Sequence, residues 1–111
     1  MNKQGDIIKL HYKDKGRERS QLFVILSRNE YNFAVKKVVA CPIISNNTEK
    51  PFLVPVNQEG LRGGSKVNTL DVFVFKNMEL EESKYERVGS ISNKEFIQMA
   101  QKFAMNFNFP F

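Results

Sequence analysis

The sequence has little of what metal and redox sites are built from. It holds one cysteine, Cys41, and one histidine, His11, in 111 residues. A single cysteine excludes an intrachain disulfide and a cysteine-based zinc site. A single histidine excludes a two-histidine proton relay within one chain. No apolar run approaches the roughly 18 residues that a membrane span needs. The opening, Met-Asn-Lys-Gln-Gly-Asp, is polar where a secretory leader would be apolar. The expected location is therefore cytoplasmic, with no membrane partner, and no metal or cofactor is expected. Repeats, low-complexity tracts and linkers are missing as well. Gly60, Gly63 and Gly64 cluster around Arg62, but no Gly-Lys-Ser/Thr follows in the frame of a phosphate-binding loop. They read as a flexible turn in which Arg62 and Lys66 contact phosphate.

What is present is positive charge, unevenly spread. The net charge is +5. Residues 1–50 carry ten Lys/Arg against five Asp/Glu, and residues 51–111 carry seven of each, so the whole excess lies in the first half. Clustered cations attract polyanions through phosphate contacts and counterion release. A solvated basic face without a partner is the other reading of the same charge. The 41% hydrophobic content suits one soluble domain over residues 1–111.

Short strand patterns dominate. Residues 6–12 alternate, with Ile8, Leu10 and Tyr12 on one face and Lys9, His11 and Lys13 on the other. Residues 21–27 form a dense apolar run that predicts a central strand buried on both faces. Residues 37–44 are similar. Residues 52–56 lie between Pro51 and Pro55, which predicts an edge strand. Residues 67–75 predict one long strand and 87–91 a last short one, with the acidic stretch 79–82 as a solvated loop between them. Ser92 with Glu95 predicts a capping box, and Ile91 with Phe96 a hydrophobic staple. Phe96, Met99, Ala100, Phe103 and Phe107 then recur at helical spacing over about 93–106, ended by Pro110. That stripe reads as core or interface. Five or six strands followed by one helix predict a small β-barrel over about 5–91 with a helix packed on it.

The order of elements is "GDIIKLHY", a charged stretch with "KGRE", "FVILSRNEYN", "VVACPIISN", "PFLVPV", a glycine turn, "TLDVFVF", and "VGSISNKEF" opening a helix. This order resembles the MazF/PemK (Kid, CcdB-like) toxin family over about residues 5–105. The resemblance implies a mainly β fold with a C-terminal helix, an SH3-like barrel of the CcdB/MazF/PemK type, assembled as a homodimer. It also implies a toxin-type endoribonuclease, an mRNA interferase. Such an enzyme cleaves single-stranded RNA without metal, by attack of the ribose 2′-hydroxyl on the adjacent phosphate. The implied partner is an antitoxin with an acidic tail. Relatives of the CcdB type act on a protein target instead.

That chemistry needs a base, positive charge at the phosphate, and a proton donor at the leaving oxygen. Lys15-Gly16-Arg17-Glu18 matches the family's Lys-Gly-x-Glu loop. Glu18 is thus the candidate base, with Arg17 and Arg19 as candidate catalytic cations. Lys13, Lys15, Gln21, Ser45, Arg62 and Lys66 are candidate RNA contacts. The family's Arg-Pro turn falls here on Gln21-Leu22, and its threonine after Cys-Pro-Ile falls on Ile44. The family's aspartate falls on Asp71, a further candidate catalytic residue in the register that needs the smaller length change before "VGSIS", or, in a second register, on Ser65. In the two registers the arginine that should follow becomes Val74 or Asn68. The missing arginines favour a second hypothesis, a non-catalytic member of the same fold.

Overall fold

The computed structural model describes residues 2–82 and 85–107. Its elements run β1 (Asp6–Asp14), β2 (Arg17–Ile25), α1 (Asn29–Val35), β3 (Lys37–Ser45), β4 (Leu53–Pro55), β5 (Ser65–Asn68), β6 (Phe73–Lys76), α2 (Asn77–Glu82), β7 (Tyr85–Ser90) and α3 (Asn93–Met105). All strand pairs are antiparallel, and the sheet runs β4-β5-β3-β2-β1-β7, with β6 also on β3. The short edge strand, expected over 52–56, stands at 53–55.

The sheet is barrel-like but not closed, because β4 and β7 end it without pairing to one another among the described residues. Its two ends are joined by other means. Gly60, in the β4–β5 loop, lies so close to β7 that a Cβ there would sit 3.7 Å from Val88. The backbone N–H of Asn57 and the side-chain amide of Gln58 donate to the Glu95 carboxylate of α3, at 2.6 and 2.5 Å.

Both faces of the sheet carry a core. One contains Ile7, Val24, Cys41, Val54, Val67 and Met99; the other contains Ile8, Phe23, Ile25, Val38, Ala40 and Leu80. The one-sided alternation expected at the start of β1 therefore gives way to burial of both Ile7 and Ile8. The second core is bound by three rings, with Phe23 edge-on to Phe73 and Phe75 at 5.2 and 5.1 Å.

The single strand expected over 67–75 is two strands, laid end to end along β3. Val67 pairs with Ile43, and Phe73 with Ala40. The break falls opposite Pro42. Val39 directs its carbonyl to Leu26 and its N–H to Ser27, on the β2 side. Alternation then turns Pro42 toward β5 and β6, where it has no N–H to donate. The chain loops out instead, and Thr69 is held by the Phe52 carbonyl, to which its N–H and hydroxyl both donate. Asn106 closes the loop from α3, its amide donating to the Thr69 carbonyl and hydroxyl at 3.0 and 3.1 Å.

Two short helices lie where the sequence pattern had none. In α1, Asn32 is fully buried and bonded to Ser27 through both its side-chain oxygen and nitrogen. The stretch expected to be an acidic loop at 79–82 belongs to α2, whose Leu80 is buried in the second core. Helix α3 starts as its sequence dictates. Ser92 and Glu95 form both bonds of the capping box, and Ile91 and Phe96 meet on the first core. Met99 is fully buried, Phe103 half-buried, and Phe107 exposed with its ring 5.1 Å from that of Phe103. The aromatic stripe thus enters the core only over its first half. Pro110 lies outside the described residues.

Candidate nucleic-acid interface

The charged stretch at 13–19 is expected as a loop, yet only Lys15 and Gly16 turn. Both take positive φ, +51° and +78°, and the ladder resumes at once with Asp14 opposite Arg17. Two left-handed residues in a row are what a two-residue hairpin of this twist requires, and Gly16 supplies one without strain. The other charges therefore stand on strands, and a period of two sorts them. Lys9, His11 and Lys13 share a face with Leu22, Ser20 and Glu18, their register partners. Arg17 and Arg19 project to the opposite face, with Tyr12 and Gln21.

A clamp of Arg17, Glu18 and Arg19 in one loop is thus not what forms. Instead, His11, Tyr12, Lys13, Glu18 and Arg19 surround a shallow hollow of about 300 Å³. Arg19 reaches its rim; Arg17 and Lys15 do not line it. His11 also approaches Glu86 of β7, with Nε2 3.6 Å from Oε1.

A second groove, of about 500 Å³, opens along the same strands. Leu22 and Ile43 floor it, and Lys9, Ser20, Ser45 and Arg62 bring polar groups to it. Ser45 lies on the groove side because it is two residues from Ile43, the register partner of Leu22. Its hydroxyl donates weakly to the Gly63 carbonyl at 3.3 Å. Gln21 serves the sheet here. Its amide donates to the Ile43 carbonyl at 2.7 Å and the Leu22 carbonyl at 3.0 Å, where β2 and β3 part. Lys66 donates to the Thr48 carbonyl at 2.5 Å.

Asp71 stands apart from both hollows. It accepts from Asn68 at 3.2 Å, and its charge is felt at Cys41. Cys41 pairs with Val24, six residues along β2 from Glu18. At ~3.3 Å per residue that is roughly 20 Å. Within one chain, then, Glu18, Lys13, Arg19, Gln21, Ser45 and Arg62 line neighbouring hollows and Asp71 does not. Ser65, the aspartate position in the second register, lines the second groove. The residues missed are Lys9, Ser20 and, as a groove member, His11. The alternation of Lys9, His11 and Lys13 already signalled one polar face.

Glu95 fixes the far wall of this region. Its partial burial pushes the pKa up, but bonds from the Ser92 and Asn57 amides, the Gln58 side chain and the Ser92 hydroxyl outweigh it. The carboxyl is held below the ordinary glutamate value. It thereby anchors the 57–64 loop that carries Gly60 and Arg62. Cys41 is inert: burial first, then the Asp71 charge, push its thiol up to about 12. Among the described residues, no three His, Cys, Asp or Glu side chains are grouped to hold a metal ion. No helix among them is long and apolar enough to cross a membrane.

No protein-family model matches the sequence, and no curated protein is similar to it in sequence. Solved structures are similar in fold. A MazE-MazF complex from Deinococcus radiodurans matches with a TM-score of 0.77 at 16% identity, over 95% of this chain and 94% of that one. An endoribonuclease in complex with its cognate antitoxin, from a mycobacterial species, matches at 0.75 and 17% identity, over 99% and 100%. The Mycobacterium tuberculosis toxin MazF-mt6 matches at 0.71 and 17% identity, over 94% and 98%. Over nearly its whole length, this chain has the fold of the MazF toxins.

Proposed function

We propose that the chain is the toxin of a toxin–antitoxin pair and acts in the cytoplasm as a metal-independent endoribonuclease on single-stranded RNA. The observation that carries the reading is the polar face of the β1–β2 ribbon, where one carboxylate, one imidazole and several cations meet on a MazF-type fold. Glu18 takes the proton of the ribose 2′-hydroxyl as its oxygen attacks phosphorus. Lys13 and Arg19 face the charge that builds on the phosphate oxygens. His11 gives a proton to the 5′-oxygen as the P–O5′ bond breaks. The products are a 2′,3′-cyclic phosphate and a 5′-hydroxyl. Ser45, Arg62 and Lys9 guide the strand along the second groove. A homodimer and an antitoxin with an acidic tail complete the proposed assembly.

The test is incubation with a long single-stranded RNA in excess EDTA, with mapping of the new ends. The reading expects discrete cuts bearing 5′-hydroxyls. Glu18→Ala should lower the rate by ~10²–10⁴, the range for loss of a general base. His11→Asn should also slow cleavage, by removing the proton donor to the 5′-oxygen. The second reading is a non-catalytic member of the fold. It is favoured by the opposed faces of Glu18 and Arg17 and by the distance of Asp71. Intact RNA after incubation with protein whose β spectrum is native by circular dichroism would establish it.

A further inference from the structure

Strands β2 and β3 part before either of them ends. Their pairing stops at Leu22 opposite Ile43, although β2 begins at Arg17 and β3 runs to Ser45. The Gln21 amide closes this last rung by donating to the Leu22 and Ile43 carbonyls. The next rung of the same register would set Ser20 against Ser45, and it is not made. Main-chain groups point along the missing rung from both sides. In an antiparallel ladder, alternate residues direct their N–H and C=O to opposite neighbours. Ile25 gives its carbonyl to Gly5, on the β1 side, and Leu26 gives its N–H to Val39 of β3. Counting back by twos from Leu26, Leu22 and Ser20 face β3. Counting on by twos from Val39, Ile43 and Ser45 face β2. On its other side Ser45 stands opposite Ser65 of β5. The Ser65 N–H donates to Arg62 and its carbonyl accepts from Val56, so β5 does not take the Ser45 main chain.

Both serines are exposed, and both line the groove of about 500 Å³ that opens where the strands diverge. An open rung of this kind is a ready template for a ligand with matching donors and acceptors. We propose that the unmade rung cradles one ribonucleotide of the bound strand: the N–H groups of Ser20 and Ser45 hold its phosphate oxygens, and the neighbouring carbonyls accept from its 2′-hydroxyl. The inference rests on the RNA reading above and assigns a site within it.

The mixture of donors and acceptors selects this occupant. A simple anion would face two carbonyls as well as two N–H groups. A ribonucleotide brings acceptors in its phosphate and a donor in its 2′-hydroxyl. Lys9 and Arg62 line the same groove and add positive charge. An added peptide strand would also match both kinds of group. It needs a row of open rungs, however, and β3 offers one, because Ser45 is its last residue. Arg17 and Arg19 project to the other face, so the phosphate donors that β2 brings to this side belong to its main chain. Such donors are preorganised by the strand and need no rearrangement on binding. A nucleotide held there would also tie the ribbon back to β3 across the gap.

The test separates main chain from side chain. Ser20→Pro removes the N–H, and the fold tolerates it because no ladder bond uses that N–H and the edge there is open. Ser20→Ala removes only the hydroxyl. Both are made in the Glu18→Ala background, so that the RNA survives the titration. The probe is a fluorescein-labelled single-stranded RNA of random sequence, read by anisotropy in EDTA beside its deoxy counterpart. Ser20→Pro should weaken RNA binding by ~10-fold or more, the loss of one hydrogen bond to a charged group. Ser20→Ala should weaken it less. The deoxy strand should bind ~3-fold or more weakly than the RNA, for want of one neutral bond. With Ser20 intact, RNA should move the Ser20 and Ser45 amide protons downfield in the NMR spectrum. Suppose RNA is bound and cut by the wild type, yet those two amides stay in place, or Ser20→Pro keeps both a native amide spectrum and its affinity. The cradle is then overturned and the ribonuclease reading stands. Equal binding of the RNA and its deoxy counterpart would overturn the role given to the carbonyls. RNA neither bound at about millimolar concentration nor cut would overturn the cradle and the ribonuclease reading together.

Discussion

Removing the Glu95 carboxylate should loosen the molecule at the point where its open sheet is held together. Among the bonds the carboxylate accepts are those from Ser92 N–H at 2.9 Å, Asn57 N–H at 2.6 Å and Gln58 Nε2 at 2.5 Å. Hydrogen bonds to a charged group contribute about 1.5–3 kcal/mol each when buried. Glu95 is only half-buried and the bonds share one group, so their sum lies well below three times that. Losing the capping box alone costs about 1 kcal/mol. For Glu95→Ala we expect a loss of about 2–3 kcal/mol, near 10 °C in melting temperature at this chain length. The sign with pH follows from the lowered pKa. The unfolded glutamate holds its proton up to about 4.5, its ordinary value, and the folded one releases it earlier. The carboxylate's contribution is therefore complete above that value and lost as pH falls through the folded pKa. Thermal unfolding of wild type and Glu95→Ala, followed by circular dichroism at pH 7 and pH 3, should show the difference shrinking in acid. A difference of equal size at both pH values, or one below about 0.5 kcal/mol at pH 7, would refute the anchoring argument.

Two further outcomes test the core. Met99→Ala removes a fully buried side chain from the contact between α3 and the sheet; it should cost about 2–5 kcal/mol in urea unfolding. Cys41, fully buried with its thiol pushed up to about 12, should resist a disulfide reagent at pH 8 in the native protein and react at once in denaturant. Its raised pKa also means that stability should decline as pH rises from about 9, the ordinary thiol value, toward 12, since the unfolded chain ionises first.

Elements fixed by local chemistry were readable from the sequence. The capping box at Ser92 and Glu95 needs no tertiary partner to be recognised, and the dense run before Ser27 announces a central strand by composition alone. Most of the failures are tertiary. One run of β-formers at 67–75 splits because Pro42, 25 residues away, cannot donate to it. Helix α1 is seven residues long, too short for periodicity to register, and is held by the buried bonds of Asn32 to Ser27. Helix α2 is fixed by Leu80 entering the second core, a long-range contact that its short acidic sequence does not announce. The candidate site was legible as charge and as a family-like Lys-Gly-x-Glu stretch. The side each residue faces was not, because that depends on whether residues 13–19 form a loop or a continued ladder. A two-residue turn at Lys15-Gly16 decides it.

That turn also determines how the site is supported. β2 pairs with β3 only from Leu22 to Ile25, and β1 pairs with β7 only from Asp6 to Leu10. Residues 11–20 therefore project beyond the sheet as a ribbon of two strands, stabilised by each other and by the His11–Glu86 contact. A two-stranded ribbon in water is marginal by itself, and its exposed rungs are charged on both faces, so no core can form on it. The buried strand behind Glu18 locates the ribbon but does not clamp it. A catalytic group needs closer restraint than this. On the RNA-cleaving reading, the missing restraint must come from what lies on the ribbon, a second protomer or the RNA itself. The same geometry explains how so many like charges are tolerated: each rung sits in water, where repulsion between neighbours is weak, until a polyanion displaces that water and makes the charges count.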